Sequence, residues 1–148
     1  MPKRTIGRTD KADFPVLGFY DIDIKIDTGA YTSSIHCHSI VEKENKLVCT
    51  FFDEEHPLYN GQEMIFDEYD IAVVRSSNGE TQYRYQVQSS ITIFSKTYKI
   101  SLTLSSREDM RFPVLIGRKF LTKKFIVDTE FTNVSYNLKN NESKDIIS

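Results

Sequence analysis

One stretch of this chain combines residue types that suit a reactive carboxylate: Asp27-Thr28-Gly29-Ala30, within "DIKIDTGAYTSS". An aspartate serves as a general acid or base only where its loop holds it in place. Gly29 permits a sharp turn and leaves its N–H open to approach. Thr28 can hydrogen-bond across the turn, and Ala30 keeps the loop small. N–H donors around a carboxylate favour its anion. The same residues also suit an ordinary strand-to-turn transition, because Asp and Gly are common in turns. Four letters do not separate the two readings.

The loop needs a strand to deliver it. Tyr20, Ile22, Ile24 and Ile26 fall on one face, and Asp21, Asp23 and Lys25 on the other. That period of two predicts a half-buried strand ending at Asp27. Strand patterns recur in "KLVCTFF" (46–52), "DIAVVR" (70–75) and "TQYRYQVQ" (81–88). Asn78-Gly79, within "SSNG", predicts a tight hairpin turn between the last two. Residues 89–104 read as a further hairpin, with Tyr98, Ile100, Leu102 and Leu104 on one face. "FPVLIG" (112–117) is a short buried strand, "RKFLTKKF" (118–125) the best helix candidate, and residues 53–70 a long loop or irregular hairpin. "KFIVD" (124–128) and "TNVSYNL" (132–138) predict closing strands. The expectation is one all-β domain over residues 1–138 and a polar tail, 139–148, that frays. No repeats or low-complexity tracts are read in it.

Composition narrows the function. A chain of 148 residues can bury a core without staples. A net charge of −2, with both signs interspersed, gives no electrostatic case for nucleic acid or an anionic membrane. No apolar run is long enough to span a bilayer, and "MPKRTIGRTDKADF" lacks the apolar core of a secretory signal. Cys37 and Cys49 do not make a disulfide framework, so reduced thiols and a cytoplasmic location are expected.

"IDTGA" resembles the catalytic loop of retropepsin-like aspartic peptidases. "VLIGRKFLT" (114–122) resembles their second hallmark, two apolar residues and a glycine before a short helix. The hairpin and strands between them stand in the place of the flap. The order agrees over residues 20–122. "IGRTDKADFPVLGF", "KIDTGAYTSSIH", "SSNGETQYRYQV" and "LTLSSREDMRFPVLIGRKFL" together are similar to a bacterial family labelled ATP-dependent zinc proteases and associated with ATP-grasp glutamate ligases.

The resemblance implies a closed retropepsin-like barrel with one short helix after the "VLIG" strand. It implies an aspartic peptidase in which two carboxylates share a proton around a water. Two such charges cannot both ionise when close, so their titrations split. Only one such loop is present, so the dyad is expected from Asp27 of two subunits in a two-fold homodimer. Thr28 would lock the two loops together, and Gly29 would bond the carboxylates or substrate. Ala30 and the hairpin tip Ser76, Ser77, Asn78 and Gly79 would contact a peptide or protein substrate. From turn chemistry alone, that tip is a plain hairpin turn. A second reading keeps the fold but makes it a non-hydrolytic partner of a glutamate ligase.

Two features depart from the retroviral pattern. Tyr31 replaces the acidic residue that pairs there with the arginine after the second glycine, so Arg118 loses that partner. "VDTE" repeats Asp-Thr, but Glu130 replaces the glycine, and Asp128 reads as a structural turn residue. The zinc label finds weak support. There is no HExxH, and His36, Cys37, His38, Cys49 and His56 are the available ligands. In a plain strand His36 and His38 face the same way, and Cys49 could join them. Incidental His and Cys in a half-buried strand is the competing reading, and no metal or other cofactor is expected. No phosphate-binding Gly-rich loop supports ATP. Tyr83, Tyr85, Tyr98, Phe112 and Phe120 read as core, with a peptide groove as the alternative for Tyr83 and Tyr85.

Overall fold

The computed structural model describes residues 2–75, 78–106 and 110–147, with the side chains of the last helix described to residue 141. The strands are β1 (Arg4–Ile6), β2 (Thr9–Phe14), β3 (Phe19–Ile26), β4 (Ser33–Lys43), β5 (Lys46–Phe51), β6 (Met64–Phe66), β7 (Asp70–Arg75), β8 (Thr81–Ile93), β9 (Lys96–Ser105), β10 (Val114–Ile116) and β11 (Phe125–Val127). The helices are α1 (Arg118–Leu121) and α2 (Val134–Ile147). Strands β10-β3-β2-β8-β9-β4 are hydrogen-bonded in that order, and β10 also pairs with β4, which closes a six-stranded barrel. The mostly β, retropepsin-like architecture is the one expected.

Alternation fills the barrel. Ile22, Ile24 and Ile26 of β3 point inward with Ile91 and Ile93 of β8 and Ile100, Leu102 and Leu104 of β9. Tyr20 does not follow them and is 58% exposed. Asp21 takes φ 53° and the β2–β3 register slips between Ala12 and Phe14, so Phe19 turns inward against Phe51 and Phe52. A bulge of this kind reverses which residues face the core.

The tight hairpins fall where glycine is absent. Glu44-Asn45 (φ 53° and 62°) joins β4 to β5, and Phe94-Ser95 (φ 53° and 60°) joins β8 to β9. Positive φ at both central residues matches the right-handed twist of the strands. Residues 76–80 instead join β7 to β8, with Gly79 at φ 85°. Ser76 and Ser77 lie outside the described residues.

Two expected elements change at the C-terminal end. "RKFLTKKF" forms only the four-residue α1, and Phe125 already begins β11. Of the strand expected over residues 132–138, only a single bridge from Thr132 to Thr9 forms, and Val134 already begins α2, so the boundary at residue 138 falls inside this helix. The cause is distant in sequence. Asp10, 1% exposed, accepts hydrogen bonds from the Ser135 N–H at 2.9 Å and the Tyr136 N–H at 3.1 Å. A carboxylate on the first turn satisfies unpaired helix N–H groups and suits the helix dipole. No helix among the described residues is long and apolar enough to cross a membrane.

Candidate active site

Strand β10 enters between β3 and β4, parallel to the first and antiparallel to the second. The loop connecting β3 to β4, residues 27–32, therefore arches past the end of β10. Among the described residues, the backbone contacts that tie it to the rest of the fold come from β10 and the start of α1. The Asp27 N–H donates to the Ile116 carbonyl (2.8 Å), the Arg118 N–H to the Ala30 carbonyl (2.9 Å), and the Lys119 N–H to the Tyr31 carbonyl (2.9 Å). The Gly117 N–H donates to the buried Ser33 hydroxyl (3.0 Å). A Cβ on Gly117 would stand 2.4 Å from the Thr32 carbonyl oxygen, so only glycine lets the two segments approach this closely.

Within this frame the Asp27 carboxylate accepts the Gly29 N–H at 3.2 Å, and the Ala30 N–H donates to the Asp27 carbonyl at 3.2 Å. Asp27 and Ala30 are half-buried, whereas Thr28 and Gly29 are exposed. The loop thus holds one carboxylate at a fixed height and turns its tip to the surface.

Arg118 is the residue whose role the sequence left open. Its guanidinium donates to the Thr28 carbonyl (3.0 Å) and lies 5.9 Å from the centroid of the Tyr31 ring. Tyr31 thus gives Arg118 a cation–π contact in place of the acidic partner that the retroviral resemblance implies. Arg118 acts as a clamp across the catalytic-type loop.

The same construction occurs a second time, and the reading of no repeats missed it. Ile6-Gly7-Arg8 repeats Ile116-Gly117-Arg118, and Asp128-Thr129 repeats Asp27-Thr28. Strand β1 runs parallel to β11 as β10 does to β3. The Asp128 N–H donates to the Ile6 carbonyl (2.9 Å), the Arg8 N–H to the Phe131 carbonyl (2.9 Å), and the Phe131 N–H to the Asp128 carbonyl (3.2 Å). The Glu130 N–H meets the Asp128 carboxylate at 3.0 Å, and the Arg8 guanidinium meets the Thr129 carbonyl at 2.9 Å. A Cβ on Gly7 would stand 2.2 Å from the Phe131 carbonyl oxygen. Each contact has its counterpart at Asp27. The only sequence signal was a tripeptide and a dipeptide recurring far apart in reversed order.

The other proposed residues scatter. Asn78 accepts the Glu80 N–H at 3.2 Å within the turn, and β7 pairs only with β8, so the hairpin extends beyond the closed barrel. Tyr83 is 74% exposed, whereas Tyr85 packs against the core. Tyr98 and Phe120 meet edge to face, as core residues do.

The zinc candidates do not converge. The register of β4 slips between Cys37 and Ser39, so His36 and His38 do not share a face. His36 is buried beside β10, whereas His38 is exposed and meets Glu54 at 3.2 Å. Cys37 and Cys49 are free, buried thiols; their mutual contact, and then burial, push the Cys37 thiol up. His56 stacks on Phe52, and its Nδ1 accepts the Leu58 N–H at 3.1 Å. Among the described residues no group of three or more His, Cys, Asp and Glu could hold a metal ion. The donor set does not fit zinc.

Comparison with known proteins agrees with the fold. A Shewanella pealeana protein named probable alpha-L-glutamate ligase is 34% identical over 132 residues, covering 85% of this chain and 28% of that protein. One of the same name from Desulfotalea psychrophila is 30% identical over 134 residues, covering 86% and 28%. The chain spans little more than a quarter of these relatives' length. The crystal structure of a Legionella pneumophila protein of unknown function superimposes with a TM-score of 0.67 over 90% of this chain and 99% of that one, at 23% identity, which bears on the fold alone. The model of the RimB-like family, described as retropepsin-like aspartic endopeptidase RimB, matches residues 6–136. The chain whose β3 ends in the clamped Asp27-Thr28-Gly29 loop belongs to this RimB-like family of retropepsin-like proteins.

Proposed function

We propose that the chain is an aspartic peptidase that works as a two-fold dimer, with Asp27 of each subunit forming the dyad. One observation carries the reading: a half-buried carboxylate is held by backbone contacts from β10 and α1 while Thr28 and Gly29 beside it face outward. A loop fixed from behind and open in front is half of a symmetric site. A two-fold axis brings the same patch to itself and supplies the second carboxylate.

In that arrangement one Asp27 takes a proton from water as it attacks the scissile carbonyl. The other, protonated, donates to the carbonyl oxygen. Thr28 hydroxyls lock the paired loops, and the Gly29 N–H orients a carboxylate or the peptide. Asn78 and Gly79 at the β7–β8 tip close over an extended substrate and exclude water. Strands β1 and β11 pair with each other within one chain, so the dimer interface is centred on the loops rather than on exchanged termini. The substrate class is a peptide or a glutamate-extended protein in the cytoplasm, the latter motivated by the relatives' name. The reaction draws on these side chains and needs no cofactor.

The test is cleavage of a diverse peptide mixture, including glutamate-rich tails, read by mass spectrometry across pH. New termini that vanish in Asp27→Asn support the reading, and sedimentation should show a dimer under the active conditions. Cleavage that persists in Asp27→Asn, or full activity from a monomer, would overturn it.

The relatives' name and the short share of them that this chain spans favour one other reading, a non-hydrolytic partner of a glutamate ligase. It predicts complex formation with the ligase and no Asp27-dependent cleavage at any pH.

A further inference from the structure

Away from Asp27, a cavity of about 120 Å³ lies between α1, the β8–β9 sheet and residues 32–33. Its volume is well above the roughly 10–15 Å³ that one water requires. Lys99, Lys119 and Lys124 line it together with Gln88 and Ser101, and no carboxylate is among the lining residues. The pairing of β8 with β9 sets Gln88 opposite Ser101, and their side chains bond at 2.8 Å.

Some lysines of the fold are paired with a carboxylate. Lys11, Lys46 and Lys139 each meet an aspartate within 4 Å. None of Lys99, Lys119 and Lys124 has an ion pair among the described residues. Lys124 is nevertheless fixed. Its ammonium donates to the Phe120 carbonyl at 2.9 Å and lies 4.9 Å from the centroid of that ring. Like charges gathered in one concavity repel, and the fold gains nothing from the repulsion. A bound anion reverses the sign of that interaction, and lysines act on a phosphate or carboxylate as mobile point charges with several donors.

The structure assigns to this cavity a binding site for a compact oxyanion, a phosphate or a small carboxylate, which adjoins the far end of the Asp27 loop at Thr32 and does not include the Asp27 carboxylate. Lys99 and Lys119 close on the anion from the exposed rim, Lys124 holds it from the anchored side, and the Gln88 amide, whose oxygen accepts from Ser101, offers its N–H as a neutral donor. The cavity opens to solvent, so the anion is free or a single group projecting from a larger molecule.

The test is titration of the intact protein with inorganic phosphate and, separately, with succinate, at constant ionic strength. Backbone amide shifts are followed by NMR. The expected result is saturable binding of one of the two, with shifts centred on Thr32, Ser33, Ser101 and Lys119. The tighter binder identifies the source as phosphate or carboxylate. The double variant Lys99→Gln, Lys119→Gln should weaken binding by about tenfold, since two of three charges are gone. Lys46→Gln, away from the cavity, should leave binding unchanged. Shifts that never saturate, that centre elsewhere, or that persist unchanged in the double variant would overturn the assignment. If the double variant fails to fold, the wild-type shift pattern decides by itself. Hydrolysis is not read, so loss of the peptidase reading leaves this site standing.

Discussion

The Asp27 and Asp128 loops are built alike and exposed to different uses. Each follows a strand lying parallel to a second one, and each is clasped by an Ile-Gly-Arg segment after that second strand. Each aspartate accepts the N–H two residues on, and each arginine reaches the carbonyl of the following threonine. The difference lies in what comes next. Gly29 leaves the loop tip without a side chain, whereas Glu130 adds a charged side chain at the same point. After Asp27 the chain enters β4 and the barrel, and after Asp128 it enters α2 under the cap of Asp10. A carboxylate-holding turn is therefore a structural part that becomes a candidate for catalysis only with a glycine at its tip and an open front.

The sharpest way to break this comparison is to change both aspartates. Asp27→Asn should lower peptide cleavage by about 10²–10⁴-fold, the range of a lost general acid or base, with the circular dichroism spectrum unchanged. Asp128→Asn retains an acceptor for the Glu130 N–H and should change stability by no more than about 0.5 kcal/mol. An equal loss of cleavage in both would make the second loop part of the site.

The glycines probe the common part. Gly117→Ala and Gly7→Ala each drive a methyl into a carbonyl at less than 3 Å, and each should cost about 1–3 kcal/mol in denaturant melts. Only Gly117→Ala should also slow cleavage in the fraction that remains folded. If either is tolerated without loss, the close approach is not what fixes that loop.

The arginines give a smaller effect. Arg118→Ala removes one charge-assisted bond and the Tyr31 contact, worth about 1 kcal/mol of stability. It should lower the cleavage rate by about 10–100-fold through a misplaced carboxylate. Arg8→Ala should show a similar change in stability and nearly full activity. Arg118→Lys should rescue poorly, because one ammonium cannot both reach Thr28 and stack on Tyr31.

The smallest effect concerns pH, and it must be separated from the titration of the proposed dyad. Burial, and then the neighbouring His36, hold the His56 imidazole below its ordinary pKa of 6.5, and nearby Asp23 and Asp53 oppose this only in part. The unfolded chain then binds the proton more readily than the folded one. Stability from His56 is complete above pH 6.5 and is lost as pH falls below it. Protonation would also turn the acceptor Nδ1 against the Leu58 N–H. His56→Phe should flatten the loss of melting temperature between pH 7 and pH 5. A cleavage profile measured in that variant reports the Asp27 loop with less of the fold's own acid response. An unchanged slope would place the sensitivity elsewhere, with His36 the next group to test.

The sequence by itself determined the elements whose cause is local. Alternation marked β3 and its delivery of Asp27, and "VLIG" marked the buried strand behind the loop, because a period of two and a glycine at a close approach are written in adjacent letters. Only the tertiary structure decided the rest. The bulge at Asp21 turned Tyr20 outward, and the slip after Cys37 parted His36 from His38, because register is set between strands. "VSYNL" became helix through a carboxylate more than a hundred positions away. Arg118 found a carbonyl and a ring in place of an acid, and Arg8 did the corresponding work at Asp128. Those partners are neighbours in space and strangers in the chain, so no local pattern could announce them.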